Sequence, residues 1–329
     1  MNERSKKDNL RVAVYKGYGH AHNMIIFGHV FKNNLPFREN YSTNMFVNIR
    51  HLLRLFLVKP VAGIGVQLDW RGQIIRSVTE NDGFFSFEWQ SETAVEAGWH
   101  QVVVNCLDEN GEISGTGLGE IDVPSSTQYG FISDIDDTIL ISHSGNTRKK
   151  LQLLFTKNPH TRKTFNEVVQ NYQLFAKAHT VAASPNPFFY ISNSEWNLYN
   201  DLVDFFEHNG LPKGSFILNH LKRWFQLFKT GQSEKDNKLR RATRILETFP
   251  KQHFVLLGDN SQKDPEIYSS LAKNYPTRVF AVYIRNIDNR NEQHTREILS
   301  GLDSLNVFTC FFSINEEAID HARKIKLID

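Results

Sequence analysis

The stretch YGFISDIDDTILIS, residues 129–142, places three carboxylates and a hydroxyl group directly after a short apolar run. The apolar run has the composition of a buried strand, so the polar groups follow its carboxyl end. Because side chains alternate along a strand, Asp134 and Asp136 project to the same side. Two like charges so close repel each other unless a cation lies beside them. The stretch therefore predicts a cation site at the end of a buried strand.

After residue 126 the sequence alternates between apolar strands and helical stretches. Strands are predicted at residues 129–135, 188–192, 254–259 and 278–286, and helices at residues 196–208, 235–248 and 265–274. This alternation predicts an α/β domain, residues 126–329, with a parallel sheet and crossover helices on both faces. Ligands bind at the carboxyl ends of the strands in such sheets, so the polar residues that follow each strand are the candidate site.

Before residue 125 the pattern is that of short β-strands. Alternating or apolar runs at residues 24–31, 63–70, 74–79, 83–89 and 99–107 are separated by turn signals, and they predict an antiparallel β-sandwich over residues 11–125. One helix is inserted, in NMFVNIRHLLRLFLV, where Phe46, Ile49, Leu53 and Phe56 recur at helical spacing with Arg50 and Arg54 off that face. Residues 1–10 are a charged tail, and the Pro- and Ser-rich residues 121–130 are the predicted linker.

Composition narrows the class of protein. The 329 residues carry a net charge of +2, which gives no general attraction to nucleic acid. Only two cysteines occur, Cys106 and Cys310, so we do not expect a disulfide framework. We expect a reducing compartment instead. The charged start is not a signal peptide, and no apolar stretch reaches the length of a membrane span. We therefore expect a cytoplasmic protein.

Further polar residues follow the other predicted strands. A strand ends at Asp259, Asp264 follows five residues later, and carboxylates at neighbouring strand ends suit Mg²⁺, which prefers oxygen ligands. Ser192 ends another strand and, with the turn that begins at Asn193, can form an anion cradle at the start of a helix. Lys238, near the start of an amphipathic helix, supplies a cation. This set is the electrostatic arrangement that phosphoryl transfer requires.

These residues, in this order, resemble the four motifs of the haloacid dehalogenase superfamily: DxDx[TV], a strand that ends in Ser or Thr, a Lys, and GDxxxxD. The stretches FISDIDDTIL, YISNSEWNLYNDLVDFF, ILETFP and GDNSQKDPEIY further resemble the catalytic domain of the actin-patch-type phosphatidate phosphatases, over residues 130 to about 290. The first half, less specifically, resembles the β-sandwich found ahead of this domain in bacterial members. The resemblance implies a Rossmann-like, haloacid dehalogenase-like α/β fold.

The resemblance also implies a role for each residue. Asp134 is expected to be the nucleophile that forms an aspartyl-phosphate, and Asp136 the general acid and base. The remaining roles are to hold the turn (Thr138), to bind the transferred phosphoryl group (Ser192, Asn193, Lys238), and to bind Mg²⁺ (Asp134, Asp136, Asp259, Asp264). Asp137 is expected to lie outside the reaction. The implied activity is the Mg²⁺-dependent hydrolysis of phosphatidate to diacylglycerol and phosphate.

Two of the motifs depart from the family pattern. Asn260 and Ser261 follow Asp259 where GDSG is commoner, and Glu195 stands where Pro is commoner. Neither departure removes a reacting group, although both can alter substrate preference, and a carboxylate near the anion cradle weakens the binding of a charged phosphate.

Alternatives remain open at this point. The same chemistry can act on a soluble phosphomonoester or a phosphoprotein, and the fold can serve as a non-catalytic lipid- or protein-binding module. Asp136 and Asp137 can be helix N-caps, Ser192 can be a cap, and Lys238 can lie on a solvated helix face. A nucleotide cofactor is not expected: the chain has no GxxxxGK[ST], and GTGLGE, residues 115–120, precedes IDVP instead of a helix, which favours a strand bend.

A lipid substrate requires contact with a membrane surface. Two segments mix cations with large apolar side chains, RKKLQLLF (residues 148–155) and HLKRWFQLFK (residues 220–229), which is the composition of an interfacial segment. Each can equally be an ordinary helix that buries its apolar face. Peripheral membrane contact through one of them is a hypothesis.

Overall fold

The computed structural model describes residues 10–20, 22–32, 45–125, 129–135, 166–181, 183–220 and 234–329. The chain divides into two compact units. Of the described residues, 10–20, 22–32, Ile49–Val123 and His220 belong to the first, and residues 45–48, Pro124–Asn219 and 234–329 belong to the second. Among the helices described, none is both long and apolar enough to cross a bilayer.

The N-terminal unit contains one sheet of eight strands. They are β1 (Arg11–Val14), β2 (Gly17–His20), β3 (Asn23–Phe31), β4 (Gly65–Trp70), β5 (Gln73–Val78), β6 (Phe84–Trp89), β7 (Gly98–Leu107) and β8 (Ile113–Val123). Their order is β1-β3-β2-β8-β7-β4-β5, with β6 paired to β3. Only β2 and β8 pair in parallel. The β-sandwich stays a prediction for this unit.

The core of this unit comes from the alternating apolar residues that mark its strands. It includes Met24, Ile26, Val30, Leu68, Trp70, Phe85, Phe87, Val104 and Ile121. The glycine-rich residues 115–120 lie inside β8, which also runs into the predicted linker as far as Val123. A Cβ at Gly115 or Gly117 would lie 2.3 or 2.4 Å from the carbonyl oxygens of Leu10 and Val12. These glycines therefore allow close packing of a neighbouring backbone, not nucleotide binding.

The inserted helix is α1 (Met45–Phe56), and its orientation differs from the pattern in the sequence. Phe46 and Leu53, which the spacing places on the apolar face with Phe56, are 76% and 53% exposed. Among the side chains of α1 that the structure describes, which do not include Ile49, the buried ones are Asn48, Leu55 and Phe56. Helical periodicity identifies an apolar face but does not establish that a neighbour covers it.

The C-terminal unit contains a six-stranded sheet, β9 (Gly130–Asp134), β10 (Phe188–Glu195), β11 (Gly214–Asn219), β12 (Phe254–Asp259), β13 (Val279–Arg285) and β14 (Phe308–Phe312). All of its pairings are parallel, and the order is β11-β10-β9-β12-β13-β14. Counted from β9, the order is 3-2-1-4-5-6, so the direction of winding reverses between β9 and β12. In sheets of this order, ligands bind in the crevice at that reversal.

Helices lie on both faces of this sheet. They are α2 (Asn166–Ala176), α3 (Tyr199–His208), α4 (Glu234–Thr248), α5 (Asp264–Asn274), α6 (Glu292–Ser300) and α7 (Asn315–Lys324). Phe131 of β9 stacks on Phe175 of α2, whereas Asp134 reaches Lys238 of α4. Since residues three apart on a strand point to opposite faces, α2 and α4 cover opposite sides of β9.

Candidate active site

Asp134 and Lys238 form the centre of the site. Asp134 is the last residue of β9, where the apolar run ends, and both side chains are buried. The ammonium group of Lys238 donates a hydrogen bond to Oδ1 of Asp134 at 2.7 Å and a second to Oδ1 of Asp264. The interpretation of Lys238 as a solvated helix residue is therefore wrong.

Asp259 and Asp264 complete a group of three carboxylates with Asp134. Asp259 ends β12, next to β9, and Asp264 begins α5. One carboxylate oxygen from each of the three residues lies within 4.8 Å of the others, and all three side chains are buried. The backbone N–H of Asp259 donates to Oδ2 of Asp264 at 3.4 Å. In the part of the chain that the structure describes, this is the group of acidic side chains that can hold a metal ion.

Gly258 allows Asp264 to pack against β12. A Cβ on Gly258 would lie 2.6 Å from Oδ2 of Asp264 and 2.7 Å from the ring of Tyr268. A glycine is thus required before Asp259 because the carboxylate of Asp264 approaches its backbone closely.

The electrostatics of the group favour a bound cation. Burial, followed by the charge of Asp264, raises the pKa of Asp259 to about 7, although hydrogen bonds from Ser261 and the charge of Lys238 oppose this shift. Burial lowers the pKa of Lys238, but the charges and hydrogen bonds of Asp134 and Asp264 raise it above its ordinary value. The site thus holds more negative charge than Lys238 neutralises, and its carboxylate oxygens are the donors that a hard divalent cation prefers.

Ser192 and Asn193 lie beside this group on β10. Ile191 is paired with Asp134 across the two strands, so Ser192 is one residue beyond the end of β9. The hydroxyl of Ser192 accepts a hydrogen bond from the N–H of Ser194 at 2.9 Å, which closes a local turn, and no side chain caps the short helix that begins at Trp196. Oδ1 of Asn193 is buried without a hydrogen-bond partner among the described residues. The end of β10 therefore offers polar groups to a ligand.

Arg241 is a residue that the sequence interpretation missed. It lies three residues after Lys238 on α4, and its guanidinium donates to the carbonyl oxygen of Ser192 at 3.2 Å and to Oδ1 of Asn219 at 3.1 Å. Both acceptors are neutral. Burial, and then the charge of Arg240, lowers the pKa of Arg241 to about 10. Its position one helical turn after Lys238 is the signal that could have identified it.

Asn260, one of the two departures from the family pattern, holds the loop after Asp259 in place. Its Nδ2 donates to Oδ1 of Asn286 at 2.8 Å and to the carbonyl oxygen of Asp288 at 2.9 Å. Its Oδ1 accepts from the N–H groups of Ile287 and Asp288 at 2.8 and 2.9 Å. The N–H of Ser261 donates to Oδ1 of Asp259 at 2.6 Å. The side chain of Asn260 thus fixes the loop after β12, and the backbone of Ser261 supports the carboxylate of Asp259.

Several predicted residues lie outside the described part of the chain. Asp136, Asp137 and Thr138 do, as do residues 148–155 and all of residues 220–229 except His220. Glu195 is the last residue of β10 and is buried. The structure therefore brings Asp134, Lys238, Asp259 and Asp264 together, with Ser192 and Asn193 at the adjacent strand end.

Comparisons with known proteins match the region of the chain that contains this site. Residues 129–286 match the family model described as the catalytic domain of phosphatidate phosphatase APP1. Phosphatidate phosphatase APP1 of Saccharomyces cerevisiae is 30% identical over 180 residues, which are 54% of this chain and 29% of the yeast protein. An uncharacterized protein of Schizosaccharomyces pombe is 26% identical over 172 residues, which are 52% of this chain and 27% of that protein.

The matched regions cover under a third of the length of each of these two fungal proteins. A solved carbohydrate acetylesterase from Xanthomonas citri aligns with 94% of this chain and 70% of its own, at 9% identity and a TM-score of 0.33, which is too low to indicate a common fold. Residues 129–286, which contain the described site, are therefore similar to the catalytic domain of phosphatidate phosphatase APP1.

Proposed function

We propose that residues 126–329 form a haloacid dehalogenase-like phosphatase domain that hydrolyses phosphatidate to diacylglycerol and phosphate. The observation that carries the proposal is the contact of Asp134 with Lys238 beside Asp259 and Asp264, at the point where the winding of the parallel sheet reverses. The match of residues 129–286 to the APP1 catalytic domain supports phosphatidate as the substrate. A β-sandwich in the N-terminal unit is part of the same proposal.

In this proposal Asp134 attacks phosphorus, and the ester oxygen leaves with a proton from Asp136. Water then attacks the aspartyl-phosphate, gives its proton back to Asp136 and releases phosphate with Asp134 regenerated. Lys238, already bonded to Asp134, faces the negative charge that develops on the phosphoryl oxygens. Ser192, Asn193 and the turn after β10 hold the same oxygens.

A divalent cation fits the three carboxylates. Asp134, Asp259 and Asp264 would hold it, because their oxygens converge within 4.8 Å and burial together with the charge of Asp264 raises the pKa of Asp259 to about 7. Carboxylate oxygens favour Mg²⁺ over softer metals. Bound there, Mg²⁺ would offset the repulsion between a doubly negative phosphate and the three carboxylates.

The test is phosphate release from phosphatidate in mixed micelles and from p-nitrophenyl phosphate, with Mg²⁺ or with a chelator. Wild-type protein should release phosphate from both substrates only with Mg²⁺. Asp134→Asn should lower both rates roughly a thousandfold or more, because it removes the nucleophile without changing its size. Asp320→Asn, at an exposed aspartate of α7, is the matched control and should leave both rates unchanged.

The alternatives separate in the same assay. Release from p-nitrophenyl phosphate alone would retain the chemistry and exclude phosphatidate. Absence of release from both substrates, in folded protein with Mg²⁺, would contradict the proposal and favour a binding module. An aspartyl-phosphate is tested separately by trapping with hydroxylamine, and modification of the peptide that contains Asp134 is the expected result.

A further inference from the structure

The exposed face of α1 carries large apolar and cationic side chains. Phe46, Val47, Leu53 and Leu57 are 76%, 49%, 53% and 55% exposed, and Arg50 and Arg54 are exposed as well. At about 100° per residue the five of these positions that lie on α1 fall on an arc of about 120°, and Leu57 directly follows the helix. The buried residues Asn48 and Leu55 lie on the opposite side. We call these six residues the exposed face of α1.

Like an ordinary surface helix, α1 buries apolar side chains, Leu55 and Phe56, but it also exposes large apolar residues on its other side. Single exposed apolar side chains are common on soluble proteins, but a contiguous group of them marks an interaction surface. Leu53 and Leu57 are neighbours because they are four residues apart, and Phe46 lies two turns before Leu53 on the same side, with Arg50 between them.

Charge indicates the partner. No aspartate or glutamate occurs between Glu39 and Asp69, a stretch that contains Arg50, Arg54 and Lys59. A face that combines leucine and phenylalanine with arginine has the composition of a helix that lies in the membrane interface and is attracted to anionic lipid. The headgroup of phosphatidate is itself anionic, so a membrane that contains this substrate is complementary to the face.

We propose that the exposed face of α1 docks the protein onto an anionic lipid surface, with Leu53 and Leu57 in the acyl boundary and Arg50 and Arg54 among the headgroups. The inference deepens the proposed function and rests on it, since an enzyme that acts on a membrane phosphomonoester must reach the bilayer. It assigns the contact to a part of the chain that neither of the two segments suggested by composition includes.

The test is cosedimentation of the full chain, in the presence of a chelator, with phosphatidylcholine vesicles that contain or lack phosphatidylserine. The wild type should bind the anionic vesicles and lose binding at high salt. Leu53→Ser with Leu57→Ser should weaken the partition coefficient about tenfold or more, and each of Arg50→Gln and Arg54→Gln about fivefold. Leu118→Ser is the matched control, because Leu118 is 77% exposed on β8, away from α1 in sequence.

The same variants separate this inference from the proposed function. All of them should hydrolyse p-nitrophenyl phosphate in Mg²⁺ at the wild-type rate, which also shows that they are folded. Equal vesicle binding by the wild type and the double leucine variant would overturn the docking face while hydrolysis persists. Loss of a protein dimer in that variant, with no binding of the wild type to vesicles, would overturn it in favour of a protein partner. Vesicle binding without any hydrolysis would instead contradict the proposed function.

Discussion

The ammonium group of Lys238 lies 2.7 Å from Oδ1 of Asp134, although 104 residues separate the two in sequence. Both side chains are almost completely buried, and the same ammonium group also bonds to Asp264. A cation removed from water in this way is stable only because two carboxylates accompany it. The contact thus ties α4 to the strand end that carries the proposed nucleophile.

Lys238→Met should strongly destabilise the C-terminal unit. The substitution leaves two buried carboxylates without this cation, and removal of one partner from a buried ion pair costs about 3–5 kcal/mol. The measurement is the free energy of unfolding in urea, with a chelator and then with Mg²⁺. Part of the loss should be recovered in Mg²⁺, because a bound cation supplies the missing charge and stabilises the folded state.

Lys263→Met provides the matched control for that measurement. Lys263 also bonds to a carboxylate, that of Glu266 at 3.1 Å, but its side chain is 67% exposed. An exposed pair of this kind contributes under about 1 kcal/mol. Equal losses of unfolding free energy for the two variants would show that the contacts of Lys238 contribute no more to stability than an exposed ion pair does.

Gly258→Ala should disturb the proposed Mg²⁺ site more than the core. The added Cβ would lie 2.6 Å from Oδ2 of Asp264, so the carboxylate has to shift from its present position beside Asp134 and Asp259. We expect a loss of stability of about 1–3 kcal/mol and a Mg²⁺ requirement shifted to at least roughly tenfold higher concentration. The concentration of Mg²⁺ that gives half-maximal phosphate release measures the shift.

A second strand glycine tests whether the effect comes from the neighbouring carboxylate. At Gly65 in β4 the nearest atom to an added Cβ is Cβ of Leu107, at 3.9 Å. Gly65→Ala should change stability by under about 1 kcal/mol, since the site has room and the alanine restricts the unfolded chain. A Mg²⁺ requirement for Gly258→Ala equal to that of Gly65→Ala would show that Asp264 does not depend on the glycine.

The part of the site that could be predicted from the sequence is the part that is local. Asp134 and Asp259 each end an apolar run, and strand alternation with the rule for parallel sheets predicts that such ends meet. Ser192 follows the same pattern, and Lys238 lies near the start of a recognisable amphipathic helix. Local order along the chain was sufficient for these four positions.

Other features depend on contacts that no local pattern encodes. Asn260 bonds to residues 26 and 28 positions later, after β13, and Arg241 contacts the carbonyl oxygen of Ser192, 49 positions earlier. The alternating glycines of β8 show no hydrophobic period, although close packing against Leu10 and Val12 requires them. For α1 the period predicts the helix, but the side that is buried depends on its neighbours.

Arg241→Gln should weaken substrate binding more than it slows the chemical step. Arg241 does not bond to the carboxylates; it holds the carbonyl oxygen of Ser192, and through it the turn that we propose receives the phosphoryl group. We expect KM for p-nitrophenyl phosphate to rise about tenfold while kcat changes less than about threefold. Arg241→Lys should recover part of the loss, because it keeps the charge without the planar fork.

The neighbouring arginine is the control for this prediction. Arg240 is exposed and bonds only to Oδ1 of Asn237, at 3.3 Å, among the described residues. Arg240→Gln should leave both kinetic constants unchanged. If the Arg241 variants lowered kcat alone, or matched Arg240→Gln, the role of Arg241 in positioning Ser192 would be excluded.

His29 should make the N-terminal unit sensitive to acid. The imidazole is completely buried on β3, and the hydroxyl of Tyr15 lies 2.9 Å from its Nδ1. Burial, followed by the charge of His220, lowers the pKa of His29 from 6.5 to about 3. Between these two values the unfolded chain binds a proton that the folded chain does not, so stability falls as the pH falls below 6.5. At pH 5 the loss is about 2 kcal/mol, since each unit of pH below the unfolded pKa costs about 1.4 kcal/mol.

Hydrogen exchange of the β3 amides measures this loss within the N-terminal unit. His29→Gln cannot take up the proton, so the ratio of wild-type to variant exchange rates should rise about 30-fold between pH 7.5 and pH 5. Comparison at a single pH cancels the intrinsic pH dependence of exchange. His22→Gln, at an exposed histidine in the turn before β3, is the control and should give a ratio independent of pH. A constant ratio for His29→Gln would mean that the buried imidazole is protonated without opening of the unit.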